Sequence, residues 1–126
     1  MNISLLDHLV LTVKNIDQSC EFYISVLGMK KIVFGEGRVA LKFGQQKINL
    51  HEYGREFEPK AVKPTPGSAD LCFITESKIE DVIQHMESKS VEIIEGPVER
   101  TGANTKLLSI YVRDPDENLI EIANML

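Results

Sequence analysis

The feature that most restricts how this chain can fold is a repeated order of segments in its two halves. The run His8–Val13 is apolar and β-branched, as a strand requires, and Asp70–Thr75 has the same character. A segment with apolar residues at helical spacing follows each of these strands, beginning at Ile16 and at Ile79. The repeat therefore predicts two modules of one plan, each with a strand, a helix and three further strands.

Three short β-like runs complete each module. In the first half they follow Gly28, which suits the left-handed end of a helix, and glycine-containing turns separate them. In the second half Gly96-Pro97 and Asp114–Asp116 are the expected turns. The predicted strands are Lys30–Phe34, Arg38–Phe43 and Lys47–Tyr53, then Val91–Ile94, Lys106–Val112 and Leu119–Asn124.

A proline-rich polar connector at about residues 59–67 separates a first module at about 1–58 from a second at about 68–126. Two βαβββ modules bury their apolar faces when their sheets lie side by side with the helices outside. The sequence thus predicts an α+β fold, a single domain of two βαβββ modules in tandem that form a curved mixed sheet with a central trough.

The charge balance excludes some partners. The 126 residues include 14 basic and 19 acidic side chains, for a net charge of −5, without a basic cluster. This composition argues against nucleic acid and against an anionic membrane surface. No apolar run approaches the roughly 20 residues of a membrane span, and the N-terminus lacks a secretion signal, so we expect a cytoplasmic protein. Cys20 and Cys72 are expected to be small buried apolar residues.

Four polar residues lie inside or at the edge of apolar strands: His8, His51, Asp70 and Glu121. Glu121 is the most informative, because an unpaired carboxylate on a sheet interior is costly and requires a cationic partner. A metal ion would serve, since imidazole and carboxylate are ligands of borderline divalent cations. Equivalent strands of a repeated unit would bring the four residues together in the trough.

Each candidate also has an ordinary structural interpretation. His8 alone resembles a strand-end histidine bonded to a backbone carbonyl, and Asp70 follows the connector as a turn or cap residue would. His51 could face solvent, with Asn49 or Glu52 as the inward group.

Three stretches of the chain resemble the vicinal oxygen chelate superfamily, which includes glyoxalase I, fosfomycin-resistance enzymes, extradiol dioxygenases and bleomycin-resistance proteins. They are DHLVLTV at residues 7–13, FY at 22–23 followed by VLGM at 26–29, and RDPDENLIE at 113–121. The likeness extends most closely to small glyoxalase-like or virulence-associated members. It implies paired βαβββ modules, a homodimer, and one divalent metal ion per chain chelated by substrate oxygens.

The resemblance also implies roles for single residues. His8 matches the ligand of the first strand and Glu121 that of the last, and His51 is similar to the fourth-strand ligand. Asp70 stands where many members have histidine, which departs from the glyoxalase pattern. The ion could be Zn, Ni, Co, Mn or Fe.

These residues predict a metal-dependent enzyme that acts on a small oxygen-bearing substrate, and the resemblance implies glyoxalase-like lyase or isomerase chemistry. Glu121 or Asp70 would act as the base, and Arg55, Arg100 and Arg113 are available to hold an anionic substrate. One alternative is an extradiol-type dioxygenase, because two histidines and a carboxylate also suit non-haem iron(II). Another is a non-catalytic small-molecule binder similar to bleomycin-resistance proteins.

Overall fold

The computed structural model describes residues 1–126 and confirms two βαβββ modules in tandem. The chain divides into two compact units, Met1–Pro66 and Gly67–Leu126. The first contains β1 (His8–Val13), α1 (Ile16–Ser25), β2 (Lys30–Phe34), β3 (Arg38–Phe43) and β4 (Gln46–Glu52). The second contains β5 (Asp70–Ile74), α2 (Ile79–Ser88), β6 (Glu95–Thr101), β7 (Lys106–Arg113) and β8 (Leu119–Met125).

Each unit has its own four-stranded mixed sheet, with the same order in both. The first sheet runs β1-β4-β3-β2, and the second runs β5-β8-β7-β6. The first and last strands of each unit pair in parallel, and the other pairs are antiparallel. The mixed character expected from the sequence is confirmed, and the strands divide into two sheets of four.

The core of the first unit lies on one face of its sheet. Leu11 and Leu50 are opposite each other on β1 and β4, and both are buried. α1 contacts β2, β3 and β4 and contributes the buried Cys20 and Tyr23. Asn15 caps this helix, because its side-chain oxygen accepts the N–H of Gln18 at 2.9 Å. Strand alternation places Thr12, Asn49 and His51 on the other face.

The second unit repeats this arrangement with a different helix start. Ile110 and Ile122 are paired and buried, as is Met86 of α2. No side chain next to α2 caps it. Instead, Oδ1 of Asn124 on β8 accepts the N–H of Ile79 at 2.9 Å, and this asparagine also donates to the carbonyl of Thr75. A residue distant in sequence thus satisfies an N–H group at the start of the helix. Neither helix is long and apolar enough to cross a bilayer.

The position of β6 differs from the sequence prediction. The strand spans Glu95–Thr101, whereas Val91–Ile94 was predicted as the strand and Gly96-Pro97 as a turn. The register shifts between Glu95 and Val98, so the glycine and proline form an irregularity within the strand. An edge strand tolerates proline, because one side of its backbone has no ladder partner.

The stretch at 113–121 that carries the family resemblance contains a buried turn before β8. Oδ1 of Asp114 accepts the N–H groups of Asp116 and Asn118, both at 2.9 Å. The amide of Asn118 donates to Asp114 Oδ2 at 2.8 Å, and its oxygen accepts the N–H of Ala69 at 2.8 Å. These bonds connect the start of β8 to the residue before β5, and so set the position of Glu121.

The two cysteines differ in exposure. Cys20 is buried, as predicted. The prediction for Cys72 was wrong, because this side chain is exposed. It lies on the same face of β5 as Asp70, away from the core, since alternate residues of a strand share a face.

Candidate functional site

Strand register shows which residues of the two units occupy equivalent positions. His8 begins β1 and Asp70 begins β5. Two residues further on, Val10 pairs with Asn49 and Cys72 pairs with Glu121. Asn49 in the first unit is therefore the counterpart of Glu121 in the second.

The structure does not bring His8 and His51 together. His8 pairs with Lys47 across the parallel strands, whereas His51 pairs with Thr12, four residues further along. At about 3.3 Å per residue, the two histidines are separated by about 13 Å along the strand direction. By register, the β4 residue equivalent to Glu121 is Asn49, which sequence reasoning had considered only as an alternative inward group. An alignment of the two halves of the sequence that matches β4 with β8 could have identified Asn49.

His8 is oriented by its neighbour in the chain. Its Nδ1 lies 2.8 Å from Oδ2 of Asp7, and about half of the imidazole remains accessible. The hydrogen bond to His8 lowers the pKa of the Asp7 carboxyl. Pairing of Nδ1 with a carboxylate leaves Nε2 as the ring nitrogen available to a ligand, which is the usual arrangement of a metal-binding histidine.

Glu121 is held by a side chain on the adjacent strand β7. Ser109 is fully buried, and its hydroxyl donates to Glu121 Oε2 at 2.6 Å. Cys72 faces the same carboxylate. Although the residue is exposed, partial desolvation of its thiol and the negative charge of Glu121 raise the pKa of Cys72 to about 11, so the thiol is protonated near neutral pH.

Tyr111 and Arg100 extend this polar cluster. Arg100 Nε donates to the hydroxyl of Tyr111 at 3.0 Å, and its Nη2 lies 3.4 Å from Glu95. Burial, and secondarily the neighbouring Glu121, raise the pKa of Tyr111, while Arg100 opposes this. The result is a phenol that stays protonated between a carboxylate and a guanidinium.

A cavity of about 470 Å³ opens in the second unit beside Glu121. Its wall includes Cys72, Arg100 and the turn between β6 and β7. Of the three arginines considered from the sequence, Arg100 alone lines it. Arg55 is exposed and lies 3.4 Å from Glu52, and Arg113 donates to the carbonyl of Glu117.

His51 lies in a different environment in the first unit. Its residue is only 3% exposed, and Nε2 is buried without a hydrogen-bond partner. The ring of Phe57 contacts it edge-on at 5.7 Å. Burial, together with the positive charge of Arg38, lowers the pKa of His51, so its imidazole is neutral at pH 7.

The donor atoms can be tested against the needs of a metal ion. Neither unit by itself contains a group of three histidine, cysteine or acidic side chains that could hold one. Individual side chains nevertheless have features that suit a metal ligand. His8 has an oriented ring, Glu121 has a hydrogen-bonded carboxylate, and Asn49 Oδ1 is buried without a partner. Imidazole, carboxylate and amide oxygen are each a type of donor that suits a divalent cation of intermediate hardness.

The fold and these residues define a class of protein. Residues 5–122 match the family model described as the glyoxalase/bleomycin resistance protein/dioxygenase superfamily. The chain belongs to this superfamily, as its sequence resemblance implied. Members of the superfamily bind small molecules, commonly depend on a metal ion and often form dimers.

Two relatives share most of this sequence. Virulence protein STM3117 from Salmonella typhimurium is 57% identical over 123 residues, which are 98% of this chain and 85% of that protein. Its crystal structure superimposes with a TM-score of 0.99 at 56% identity and covers 100% of both chains. Glyoxalase domain-containing protein RDO1 from Mycosarcoma maydis is 52% identical over 124 residues, which are 98% of this chain and 70% of that protein.

More distant structures share the fold alone. Lactoylglutathione lyase from Agrobacterium tumefaciens has a TM-score of 0.75 at 21% identity and covers 98% of this chain and 96% of that one. TnmS3, an antibiotic binding protein from a Streptomyces species, has a TM-score of 0.76 at 17% identity and covers 100% of this chain and 99% of that one.

Proposed function

We propose that this protein is a metal-dependent lyase or isomerase that acts on a small oxygen-bearing substrate. The observation that carries the proposal is the repeated polar pair: His8 and Asn49 in the first unit, Asp70 and Glu121 in the second, at equivalent positions of equivalent strands. Asn49 Oδ1 is buried without a partner and Glu121 is only partly exposed, and a sheet face that served only for packing would have apolar residues at these two positions.

His8 would bind the ion through Nε2 and Glu121 through the carboxylate oxygen that Ser109 does not occupy. Asn49 Oδ1 and the Asp70 carboxylate are the further oxygen donors, so His51 is not needed as a ligand. A bound divalent ion would polarise a substrate carbonyl and acidify the adjacent C–H bond. Superfamily membership and the chemistry of these donors support this assignment.

The remaining groups orient the substrate and move its proton. Asp7 keeps the ring of His8 in one tautomer, and Ser109 fixes the rotamer of Glu121. A carboxylate at Glu121 or Asp70 would accept the proton from the carbon next to the carbonyl. Arg100 lies in the cavity wall, where its guanidinium would hold an anionic end of the substrate.

A second candidate is a non-catalytic binding protein, favoured by the 470 Å³ cavity beside Glu121, which is of a size that takes a small organic ligand. Metal content distinguishes the proposed enzyme from a binding protein. An enzyme of the proposed type retains one divalent ion per chain, whereas a binder of this kind needs none. An iron ion would instead favour the dioxygenase interpretation.

We also propose that the chain is a homodimer. Apolar side chains ahead of β1 support this, because Ile3, Leu5 and Leu6 are each at least 60% exposed. A patch of this kind near a candidate site suits contact with a second copy of the chain.

Metal content measured on protein purified without chelator or a nickel column tests the enzyme proposal. We expect about one divalent ion per chain in the wild type and a loss of at least about tenfold in His8→Ala and Glu121→Ala. His85→Ala is the control, because this histidine lies on α2 and not on a strand that carries a proposed ligand, so the variant should not affect metal content. Full retention of metal in both site variants would refute the assignment.

A further inference from the structure

A second cavity, of about 240 Å³, lies entirely within the first unit. Its polar lining consists of Thr12, His51 and Lys60, and its apolar lining of Val10, Pro59, Ala61 and Pro64. None of the four residues to which the proposed function assigns the metal, His8, Asn49, Asp70 and Glu121, contributes to it. The proposed metal chemistry therefore gives this cavity no role.

The buried end of His51 is the feature that points to a ligand. His51 belongs to the cavity lining, and its Nε2 is buried and has no hydrogen-bond partner. A buried polar atom without a partner costs on the order of 1–3 kcal/mol, so native structures seldom retain one without a use. Phe57 packs on the ring, and Arg38 lies 4.8 Å from the Phe57 ring centroid, so the imidazole is held in place from that side.

The polar groups of the lining can all donate hydrogen bonds. Thr12 is directly opposite His51 in the β1–β4 register and carries a hydroxyl, and Lys60 carries an ammonium. In the tautomer with hydrogen on Nε2, His51 donates as well. Glu58 bonds to Lys60, but no carboxylate belongs to the lining itself. Three donors with one positive charge and no acidic neighbour in the wall match the oxygens of an anion.

The apolar wall restricts the size and shape of that anion. Val10 and the three connector residues offer only hydrocarbon surface, and Val10 is 47% exposed. A ligand that fills this cavity would bury a short hydrocarbon chain against them, gaining roughly 0.8 kcal/mol for each buried methylene group.

We infer that this cavity binds a short-chain monocarboxylate, with the carboxylate on His51, Thr12 and Lys60 and the hydrocarbon chain against Val10 and the prolines. The site lies within one unit and uses no proposed metal ligand. The test of this site is therefore independent of the proposed metal-dependent activity.

Propionate is the probe that tests this inference. The full-length protein at pH 7.5 is titrated while long-range proton–nitrogen NMR follows the three imidazoles. We expect a saturable shift at His51 with a dissociation constant on the order of 1–10 mM, and no saturable shift at His85. Propylammonium, with a similar chain and the opposite charge, should produce no saturable shift.

Two variants make the result specific. Lys60→Gln is on the surface and should weaken propionate binding by at least about fivefold, while His51→Phe, checked for folding by circular dichroism, should abolish it. Methyl signals of Val10 report binding where the imidazole is absent. No saturable shift in the wild type at concentrations on the order of 100 mM would overturn the inference. Equal binding of propylammonium, or unchanged binding in Lys60→Gln, would overturn it as well.

Discussion

Asn49 and Glu121 occupy equivalent positions in the two units, although one is an amide and the other a carboxylate. Each is paired with the third residue of the parallel first strand of its unit, Val10 or Cys72. The two positions are therefore structurally equivalent although their residue types differ. Of this equivalent pair, only Glu121, in the second unit, carries a negative charge.

This difference predicts that Asn49→Asp strengthens metal binding. A carboxylate at position 49 would bring a negative charge to a place where the native amide oxygen is buried and unpartnered, and a divalent ion gains from a charged ligand. We expect metal affinity to rise by about tenfold, and Asn49→Leu to lower it by a similar factor. His51→Gln is the matched control on the same strand and should leave affinity unchanged. Unchanged affinity in both Asn49 variants would remove this residue from the site.

Asp70 is tested by Asp70→Asn. It begins β5 as His8 begins β1, so we expect it to contribute an oxygen to the ion and the variant to bind metal about tenfold more weakly. Competition with a chromogenic chelator measures this directly. Normal metal affinity combined with lost turnover on a 2-oxo or 2-hydroxy substrate would instead make Asp70 a base. Normal affinity and normal turnover together would make it only a strand-end residue.

Cys72 reports on the charge of Glu121 without any substrate. Its thiol pKa of about 11, against an ordinary 9.0, leaves little thiolate at pH 8 although the side chain is exposed. We expect iodoacetamide to alkylate it about tenfold more slowly than a free cysteine at that pH, in the presence of a chelator. Glu121→Gln removes the charge and should accelerate alkylation. Mass spectrometry locates the adduct and separates it from the buried Cys20. Equal rates in wild type and variant would contradict the electrostatic coupling.

The proposed dimer depends on exposed apolar residues ahead of β1. Leu5 is 69% exposed and Leu6 60%, so replacing both with serine should lower dimer affinity without loss of the fold. Sedimentation equilibrium at micromolar concentrations should give twice the 14.2 kDa chain mass for wild type and a concentration-dependent lower mass for the variant. A wild-type mass of one chain throughout this range would contradict the proposal.

Most of the fold could be predicted from sequence because its signals are local. The apolar run of β1, the helical spacing after Ile16 and the glycine at position 28 each indicate an element without reference to the rest of the chain. The error at β6 has the opposite cause. Glu95–Thr101 is polar and contains Gly96-Pro97, and it is a strand only because it pairs with β7. Whether such a segment is a strand depends on its pairing with another part of the chain, and no local sequence signal indicates that pairing.

The candidate site could be predicted only in part, for a related reason. His8, Asp70 and Glu121 lie at or near the ends of strands that the sequence indicates clearly. The choice between Asn49 and His51 depends on register, because both face the same side of β4. Period-two alternation cannot separate residues two apart, so only the pairing with β1 shows which of them is equivalent to Glu121.

The turn before β8 gives the last prediction, which concerns stability. Asn118 is fully buried, and its side chain bonds both Asp114 and the N–H of Ala69. Asn118→Ala would leave a buried carboxylate oxygen and a backbone N–H without these partners, so we expect the free energy of unfolding in urea to fall by about 2–4 kcal/mol. Asn104→Ala, at an exposed position between β6 and β7, is the control and should change it by less than about 0.5 kcal/mol. Similar unfolding midpoints for the two variants would show that the buried turn is not what holds β8, and with it Glu121, in position.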